Sequence, residues 1–287
     1  MAERSLFPIY GNIAQFYLLK DTLKSIPSTV SIGGSQVLGY EETSNTIKLK
    51  TFTIERSIDD NNFSLRQSTS SFSNLSIPLR TDIGSVSSFL EDTLKVEVVP
   101  ASIAQGYYFN PSKKIIHSQP TDSLLKPMMH RSDNFFAEQS LLMVSNEMLG
   151  VMNDEKIIDT LLKTDFKDLP QKPRWVDGSG LSRYNLFTPQ DFVAILNKMK
   201  NEFGMERIKV ILPTGGEGTI SSYYKADSGY IYGKTGTLSG VVAFSGFLYT
   251  KKGKLLIFST LVNNHQTTAT EVRKAMEKFL EEIRNKY

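Results

Sequence analysis

The spacing of apolar residues divides the chain into a strand-like first part and a helix-rich later part. Up to about residue 80, short runs alternate apolar with polar or β-branched residues, which predicts strands at Val30–Val37, Thr46–Ile54 and Phe63–Gln67. Segments rich in Gly, Asp and Asn separate these runs. Ser68–Ser76 is dominated by Ser, Thr and Asn, and it predicts a surface loop or linker.

The pattern changes to helical spacing after Pro78, where apolar residues recur at intervals of three and four. One helical segment opens with Thr188 and Pro189, a capping residue followed by the residue favoured at the first helical position. The predicted helices are Ser85–Leu94, Leu124–Met129, Phe135–Met148, Thr188–Asn201 and Thr267–Tyr287.

Three strand-like segments lie between the last two predicted helices, at Tyr230–Leu238, Val241–Tyr249 and Lys254–Val262. The short Thr250–Gly253 segment predicts a hairpin between the second and third. A helix-rich stretch followed by adjacent strands and a closing helix predicts an antiparallel sheet flanked by helices, in an α/β chain of the α+β type.

Composition narrows the possible functions. The chain has 287 residues, 40% of them hydrophobic, which is enough for one large domain or two modest ones. Its net charge is +3 and its basic residues are scattered, which argues against a nucleic-acid partner. The absence of cysteine excludes disulfides, thiolate metal sites and cysteine nucleophiles. No apolar run approaches the ~20 residues of a membrane span, so no transmembrane segment is predicted.

A Lys-Thr-Gly triplet, Lys234–Gly236, lies inside the first of the three late strands. The lysine supplies positive charge, the threonine supplies a hydroxyl, and the glycine leaves room for another backbone at the strand edge. This combination suits a peptide that ends in a carboxylate. An ordinary edge strand with one charged residue explains the triplet equally well when it is taken alone.

A second triplet, Ser132-Asp133-Asn134, precedes the helix predicted from Phe135. Taken alone, it is best explained as a helix N-cap. The two triplets together are more informative, because S-D-N and K-T-G accompany an S-x-x-K motif in penicillin-binding proteins and class A β-lactamases.

Longer segments around the triplets also match a known family. Asp122–Gly150, Trp175–Pro189 and Leu212–Gly246 resemble the D-Ala-D-Ala carboxypeptidase/endopeptidases of the penicillin-binding protein 4 type, peptidase family S13. The resemblance implies a β-lactamase/transpeptidase-like fold. It covers residues 78–287 as the C-terminal part of a catalytic domain, while residues 1–77 look more loosely like part of a β-rich accessory region.

The resemblance also implies residue roles. Ser132 would relay a proton between the nucleophile and the leaving amine, and Asn134 would hydrogen-bond a substrate carbonyl. Lys234 would set the electrostatics of the site.

The substrate-binding residues implied by the resemblance are Thr235, Gly236 and Thr237. The two threonines would bind the terminal carboxylate of the substrate. The backbone N–H of Thr237 would form half of an oxyanion hole.

The nucleophilic serine of the family's S-x-x-K motif has no convincing counterpart. Ser123–Lys126 lies nine residues before Ser132, within the helix that leads into SDN, and Ser222–Lys225 lies in the loop before the KTG strand. The family carries its own S-x-x-K much earlier, ahead of the accessory region. We therefore expect no nucleophile in this chain.

Two explanations of this gap stay open. The chain is either an internal fragment in which Met1 is an added start, or a catalytically inactive homologue that binds peptidoglycan peptides as a scaffold protein. A β-lactamase is disfavoured because the matching segments are carboxypeptidase-like. By resemblance, the intact protein would act on peptidoglycan stem peptides, react with β-lactams, and work in the periplasm or elsewhere outside the cytoplasmic membrane, behind a signal peptide upstream.

Other candidate sites are weak. The three histidines, His117, His130 and His265, are isolated and no HExxH is present, so neither a metal nor another cofactor is predicted. The glycines of Gly215–Thr219 predict a turn, because the Lys-Ser/Thr of a phosphate-binding loop is missing. Asp177–Ser182 is interpreted as a structural loop near the site.

Overall fold

The structure is a computed structural model that describes residues 3–5, 7–19, 22–30, 32, 52–68, 72–99 and 117–287. By internal packing the chain divides into two units, Met1–Ile115 and Ile116–Tyr287. This division falls later in the chain than the predicted boundary after residue 77. The last strand of the first unit pairs with its first strand, and a helix follows in the same unit. The predicted boundary itself stays a prediction.

The first unit is mostly β-structure. Its elements are β1 (Ile13–Leu19), β2 (Thr22–Ile26), β3 (Phe52–Arg56), β4 (Phe63–Gln67), β5 (Asn74–Pro78) and helix α1 (Ile83–Leu94). Strands β2, β1 and β5 form an antiparallel sheet in that order, and β3 pairs with β4 as a separate hairpin. The core contains Phe16 and Phe63, whose ring centroids are 5.1 Å apart.

The predicted strand at Phe63–Gln67 is confirmed. Thr46–Ile54 is only partly described, and its end belongs to β3. Val30–Val37 falls almost wholly outside the described residues. The predicted loop at Ser68–Ser76 is wrong over its last three residues, which begin β5, because Leu75 packs against the core while its polar neighbours project away.

The second unit combines helices with one sheet. Its elements are α2 (Asp122–Arg131), α3 (Asn134–Leu149), α4 (Asp154–Lys163), α5 (Pro189–Ile211), β6 (Ile231–Leu238), β7 (Val241–Tyr249), β8 (Leu255–Asn263) and α6 (Ala269–Lys286). The strands form an antiparallel meander in the order β6-β7-β8. The predicted α/β class, with an antiparallel sheet flanked by helices, is confirmed.

Helices cover both faces of this sheet because successive side chains of a strand point to opposite sides. On one face, Phe244 and Leu248 of β7 pack against Met276 of α6. On the other face, Phe247 packs with Ile208 near the end of α5. The edge strand β6 is thereby held between two helical layers.

Local signals explain where the helices begin. Thr188 accepts a hydrogen bond from the Asp191 N–H at 3.2 Å, so α5 starts where the Thr-Pro signal predicted. The helix continues past the predicted end at Asn201 to Ile211, with a break at Gly204, where φ is 73°. Helix α4 was not predicted from the sequence, although Asn153 caps it through its side chain.

Candidate active site

The two triplets meet in space through their first residues. Ser132 ends α2 in the left-handed conformation, with φ 57° and ψ 51°, and Asp133 then caps α3 by accepting from the Phe136 N–H at 3.0 Å. The sharp connection leaves the Ser132 side chain exposed between the two helices. The Lys234 Nζ donates to Ser132 Oγ at 2.8 Å, so residues far apart in the chain share one hydrogen bond.

Lys234 is the half-buried cation of this contact. Its Nζ also donates to the Thr235 carbonyl oxygen at 2.5 Å. Burial disfavours the charged form and lowers the pKa of Lys234 to about 8. The Lys234 side chain is therefore mostly charged at pH 7 and loses its charge when the pH rises modestly.

Strand β6 presents an open edge beside this lysine. The Gly233 N–H donates outward to the Pro213 carbonyl at 3.1 Å, and an isolated bridge joins Tyr232 to Thr214. Along the rest of β6, no strand in the described part of the chain pairs with this edge. Backbone groups of alternate residues point the same way, so the N–H groups of Thr235 and Thr237 also face the open edge.

The threonine side chains point to the face of β6 opposite Lys234. Thr235 Oγ1 donates to Thr219 Oγ1 at 2.8 Å. The Arg273 guanidinium, from α6, donates to Thr237 Oγ1 at 2.7 Å. One strand therefore directs a cation to one face, hydroxyls to the other face, and amides into the space between them.

Gly236 is not required by the fold itself. A Cβ added there would meet only the Cβ of Ala243, at 3.6 Å, which is ordinary contact. By contrast, a Cβ on Gly246 of the neighbouring strand would lie 2.0 Å from the Tyr232 carbonyl oxygen. The space beside Gly236 is thus available to a molecule from outside the chain.

Asn134, the third predicted catalytic residue, begins α3 and is half-buried. Its backbone position next to the Ser132–Asp133 turn places it at the same helix junction. The structure therefore brings Ser132, Asn134 and the Lys234–Thr237 segment to one region of the second unit.

The segment predicted as a structural loop, Asp177–Ser182, is fixed to α3 by the buried carboxylate of Glu138. This carboxylate accepts from the Gly178 N–H at 3.2 Å, the Ser179 N–H at 3.0 Å and Ser179 Oγ at 2.6 Å. A Cβ at Gly178 would lie 2.8 Å from the Ala137 carbonyl oxygen, so glycine permits the close approach.

The same loop continues to the end of β6. Arg183 donates to the carbonyl oxygen of Ser239, which follows the strand, at 3.1 Å. Sequence reasoning identified the loop but not Glu138 or Arg273, since nothing in their own neighbourhood indicates which distant segment each one contacts.

Neither S-x-x-K match lies at this junction. Ser123 is exposed on the first turn of α2, about 13 Å along the helix axis from Ser132 at the other end. Ser222 and Lys225 do not share a helical turn, because Tyr224 between them has φ 54°. Among the described residues, neither serine hydrogen-bonds to Lys234.

The histidines do not form a cluster. Within residues 117–287 and the described parts of the first unit, no group of three or more His, Asp or Glu residues is placed to hold a metal ion. Burial lowers the pKa of His130, whose Nε2 has no hydrogen-bond partner. Nor does any helix among the described residues have the length and apolar character needed to cross a bilayer.

Comparison with known proteins identifies the family of this arrangement. The family model of the D-Ala-D-Ala carboxypeptidase 3 (S13) family matches residues 35–283. The D-alanyl-D-alanine carboxypeptidase DacB of Haemophilus influenzae is 28% identical over 188 residues, which cover 59% of this chain and 37% of the relative. Carboxypeptidase DacB of Mycolicibacterium smegmatis is 27% identical over 177 residues, which cover 58% of this chain and 38% of the relative. The chain thus spans less than two fifths of each of these relatives.

Solved structures show the same fold. Penicillin-binding protein 4 from Haemophilus influenzae superposes with a TM-score of 0.59 at 22% identity, over 82% of this chain and 56% of that one. The complex of that protein with a β-lactam gives a TM-score of 0.60 at 21% identity, over 82% of this chain and 58% of the other. The predicted transpeptidase-like fold is confirmed by this similarity.

Proposed function

The chain belongs to the D-Ala-D-Ala carboxypeptidase 3 (S13) family, and we propose that it forms the SDN and KTG walls of a serine-type D-Ala-D-Ala carboxypeptidase/endopeptidase. The substrates would be peptidoglycan stem peptides, cleaved by acylation of a serine and hydrolysis of the acyl-enzyme. The observation that carries the proposal is the 2.8 Å hydrogen bond from Lys234 Nζ to Ser132 Oγ, which joins the two family motifs.

The direction of that hydrogen bond supports a proton relay. A hydroxyl has one proton and two acceptor lone pairs. Because Ser132 Oγ accepts from the lysine ammonium, its own proton is left to donate to another group. In the proposed reaction, that group is the leaving amine, and Ser132 recovers a proton from the attacking serine.

The open edge of β6 supports the oxyanion role of Thr237. Its N–H faces the side of the strand on which the Thr235 carbonyl meets Lys234. A backbone donor fixed in a strand needs no reorganisation when negative charge develops on a carbonyl oxygen. Asn134 would bind a substrate amide from the opposite wall.

The attacking serine is proposed to come from outside these 287 residues. Ser123 and Ser222 are both exposed, and within the described part of the chain neither hydrogen-bonds to Ser132 or Lys234. The intact protein would then act outside the cytoplasmic membrane and be acylated by β-lactams. Because neither serine has a hydrogen bond to the Ser132–Lys234 pair among the described residues, a catalytically inactive peptide-binding protein is the alternative function.

A covalent labelling experiment tests this assignment. The chain is incubated with a fluorescent penicillin, digested, and searched by mass spectrometry for an acylated serine. We expect no adduct on this chain, and one adduct on a longer chain that contains it together with an upstream S-x-x-K. An adduct on Ser123 or Ser222 would contradict the absence of a nucleophile, and an unlabelled longer chain would favour the inactive binding protein.

A further inference from the structure

His130 is a titratable residue beside the cleft that the proposed function does not use. It lies in the last turn of α2, two residues before Ser132. We propose that His130 is a positioning residue, whose neutral form holds the end of α2, and with it Ser132, against the segment that precedes the KTG strand, so that mild acid loosens the cleft. The inference rests on the proposed function, since it concerns the same site.

The end of α2 is in direct contact with a short 3-10 helix, Gly218–Ile220, which precedes β6. A Cβ added at Gly218 would lie 2.8 Å from the His130 carbonyl oxygen and 3.0 Å from the His130 Cα, so glycine permits this close approach. The next residue, Thr219, accepts a hydrogen bond from Thr235 Oγ1 at 2.8 Å. Contacts therefore lead from His130 through the 3-10 helix to the KTG strand.

The same turn of α2 also determines where the Ser132 hydroxyl lies. The Ser132 N–H donates to the Met128 carbonyl oxygen, and so does the Asp133 N–H at 3.0 Å. Ser132 Oγ then accepts from Lys234 Nζ at 2.8 Å. A movement of the last turn of α2 would therefore change the distance between the two motifs.

The His130 ring fits its surroundings only while it is neutral. The side chain is half-buried, and its Nε2 is shielded from solvent without a hydrogen-bond partner in the described part of the chain. In a neutral ring this nitrogen can be the unprotonated one, whereas protonation turns it into a charged donor. A buried donor without an acceptor is costly, and burial is the main cause of the lowered pKa of His130.

Two charged side chains act on the ring from the two elements of this contact. Glu217, just before the 3-10 helix, raises the pKa of His130, and Lys126, one turn earlier in α2, lowers it. Both are exposed, so water screens their effects and burial outweighs them. The charged ring would gain most by moving out to water, which would draw the end of α2 away from Gly218.

The sign of the pH dependence follows from the lowered pKa. Above the ordinary pKa of 6.5 the ring is neutral in both the folded and the unfolded state, and the contact has its full strength. As the pH falls below this value, the unfolded or loosened state takes up the proton more readily than the closed state. Acid therefore favours the loosened state.

Peptide binding at pH 7 and pH 5, measured by NMR titration, tests this inference on the chain itself. The ligand is a short peptide ending in D-Ala-D-Ala. Its carboxylate, with an ordinary pKa of about 3.3–3.7, and Lys234, with a pKa of about 8, keep their charges at both values. The variants change the three histidines of the chain one at a time: His130→Phe keeps a ring without the titration, and His117→Gln and His265→Gln are the controls.

The wild-type chain should bind the peptide at least about fivefold more weakly at pH 5 than at pH 7, the lower end of typical coupling between sites. This difference should disappear in His130→Phe and remain in both controls. Without peptide, the amide signals of Thr219 and Thr235 should shift with the same midpoint as the His130 ring, below pH 6.5.

Equal binding by the wild-type chain at both pH values, or a loss that persists in His130→Phe, overturns the role of His130. Amide signals of Thr219 and Thr235 that do not follow the His130 ring also overturn it, and this measurement needs no variant to fold. A wild-type chain that binds no peptide at either pH contradicts the proposed function, while the amide signals still decide whether His130 controls the contact.

Discussion

The two glycines of the neighbouring strands β6 and β7 should respond to alanine in opposite ways. In Gly246→Ala, the new methyl group would lie 2.0 Å from the Tyr232 carbonyl oxygen and 2.6 Å from the Gly233 Cα. Both atoms belong to backbone of the paired strand, which cannot move without breaking the ladder. Overpacking of a core costs about 1–3 kcal/mol and sometimes more, so we expect a loss of at least ~3 kcal/mol in the free energy of unfolding.

Gly236→Ala places its methyl group 3.6 Å from the Ala243 Cβ, and the φ of Gly236 lies outside the left-handed region. Alanine restricts the unfolded chain more than glycine does, so this variant should be unchanged or more stable by about 0.4–1 kcal/mol. The same methyl group would project into the space beside Lys234 and should weaken binding of a D-Ala-D-Ala peptide.

Urea unfolding followed by tryptophan fluorescence measures both effects. Trp175 is the sole tryptophan and lies in the second unit, with its ring centroid 6.0 Å from that of Phe166, so its emission reports the unit that contains the sheet. The stability of each variant follows from the urea midpoint. If Gly236→Ala destabilises the unit as much as Gly246→Ala does, the edge of β6 is not open and the proposed ligand position is wrong.

Three further substitutions test the buried charges. The pKa of Lys234 is about 8 in the folded state and 10.5 ordinarily, so between these pH values the unfolded state keeps a proton that the folded state releases. The free energy of unfolding should therefore rise from pH 8 to 10.5, and it should rise less in Lys234→Met. Identical urea midpoints across this range would contradict the lowered pKa. Glu138→Gln should lower the free energy of unfolding by about 1–3 kcal/mol and speed hydrogen exchange of the Gly178 and Ser179 amides. Glu147→Gln, on the exposed side of α3, should change neither quantity. Arg284→Met should lower the free energy of unfolding by about 3–5 kcal/mol, because buried Asp227, 3.0 Å from Arg284, loses its charged partner. The double variant Arg284→Met, Asp227→Asn should recover part of this loss, as measured by thermal unfolding.

Local patterns were sufficient for most of the second unit. The three late strands were predicted to within about a residue, because β-branched and aromatic runs bounded by turns have few alternatives. The Thr188 cap signal placed the start of α5 for the same reason. In the first unit, β1 and β2 were not predicted. Strand β1 is a nearly continuous apolar run without alternation, and β2 is too short to show a clear pattern. The pairing of β1 with β5 also depends on residues far along the chain.

Pairwise contacts between distant residues could not be predicted. Glu138 reaches a loop 40 and 41 residues later, and Arg273 reaches back 36 residues to Thr237. Each is an unremarkable charged residue on a helix until the packing of that helix is known. Ser132-Asp133-Asn134 shows the complementary case, because its role as an N-cap does not exclude the proposed role in the active site. Asp133 forms the N-cap, and this leaves Ser132 at the turn, where it meets Lys234.

The lysine of the KTG strand is what distinguishes a ligand-binding edge from an ordinary one. Edge strands often carry lysine to prevent association with other strands, and such a lysine serves that purpose by staying exposed and charged. Lys234 is instead half-buried, donates to Ser132 and to the Thr235 carbonyl, and has a pKa lowered by burial. Burying a charge costs stability that a protective edge residue would not need to lose. The cost is understandable if the ammonium acts on the hydroxyl of Ser132, and this is the reason for which we assign the open edge of β6 to a ligand.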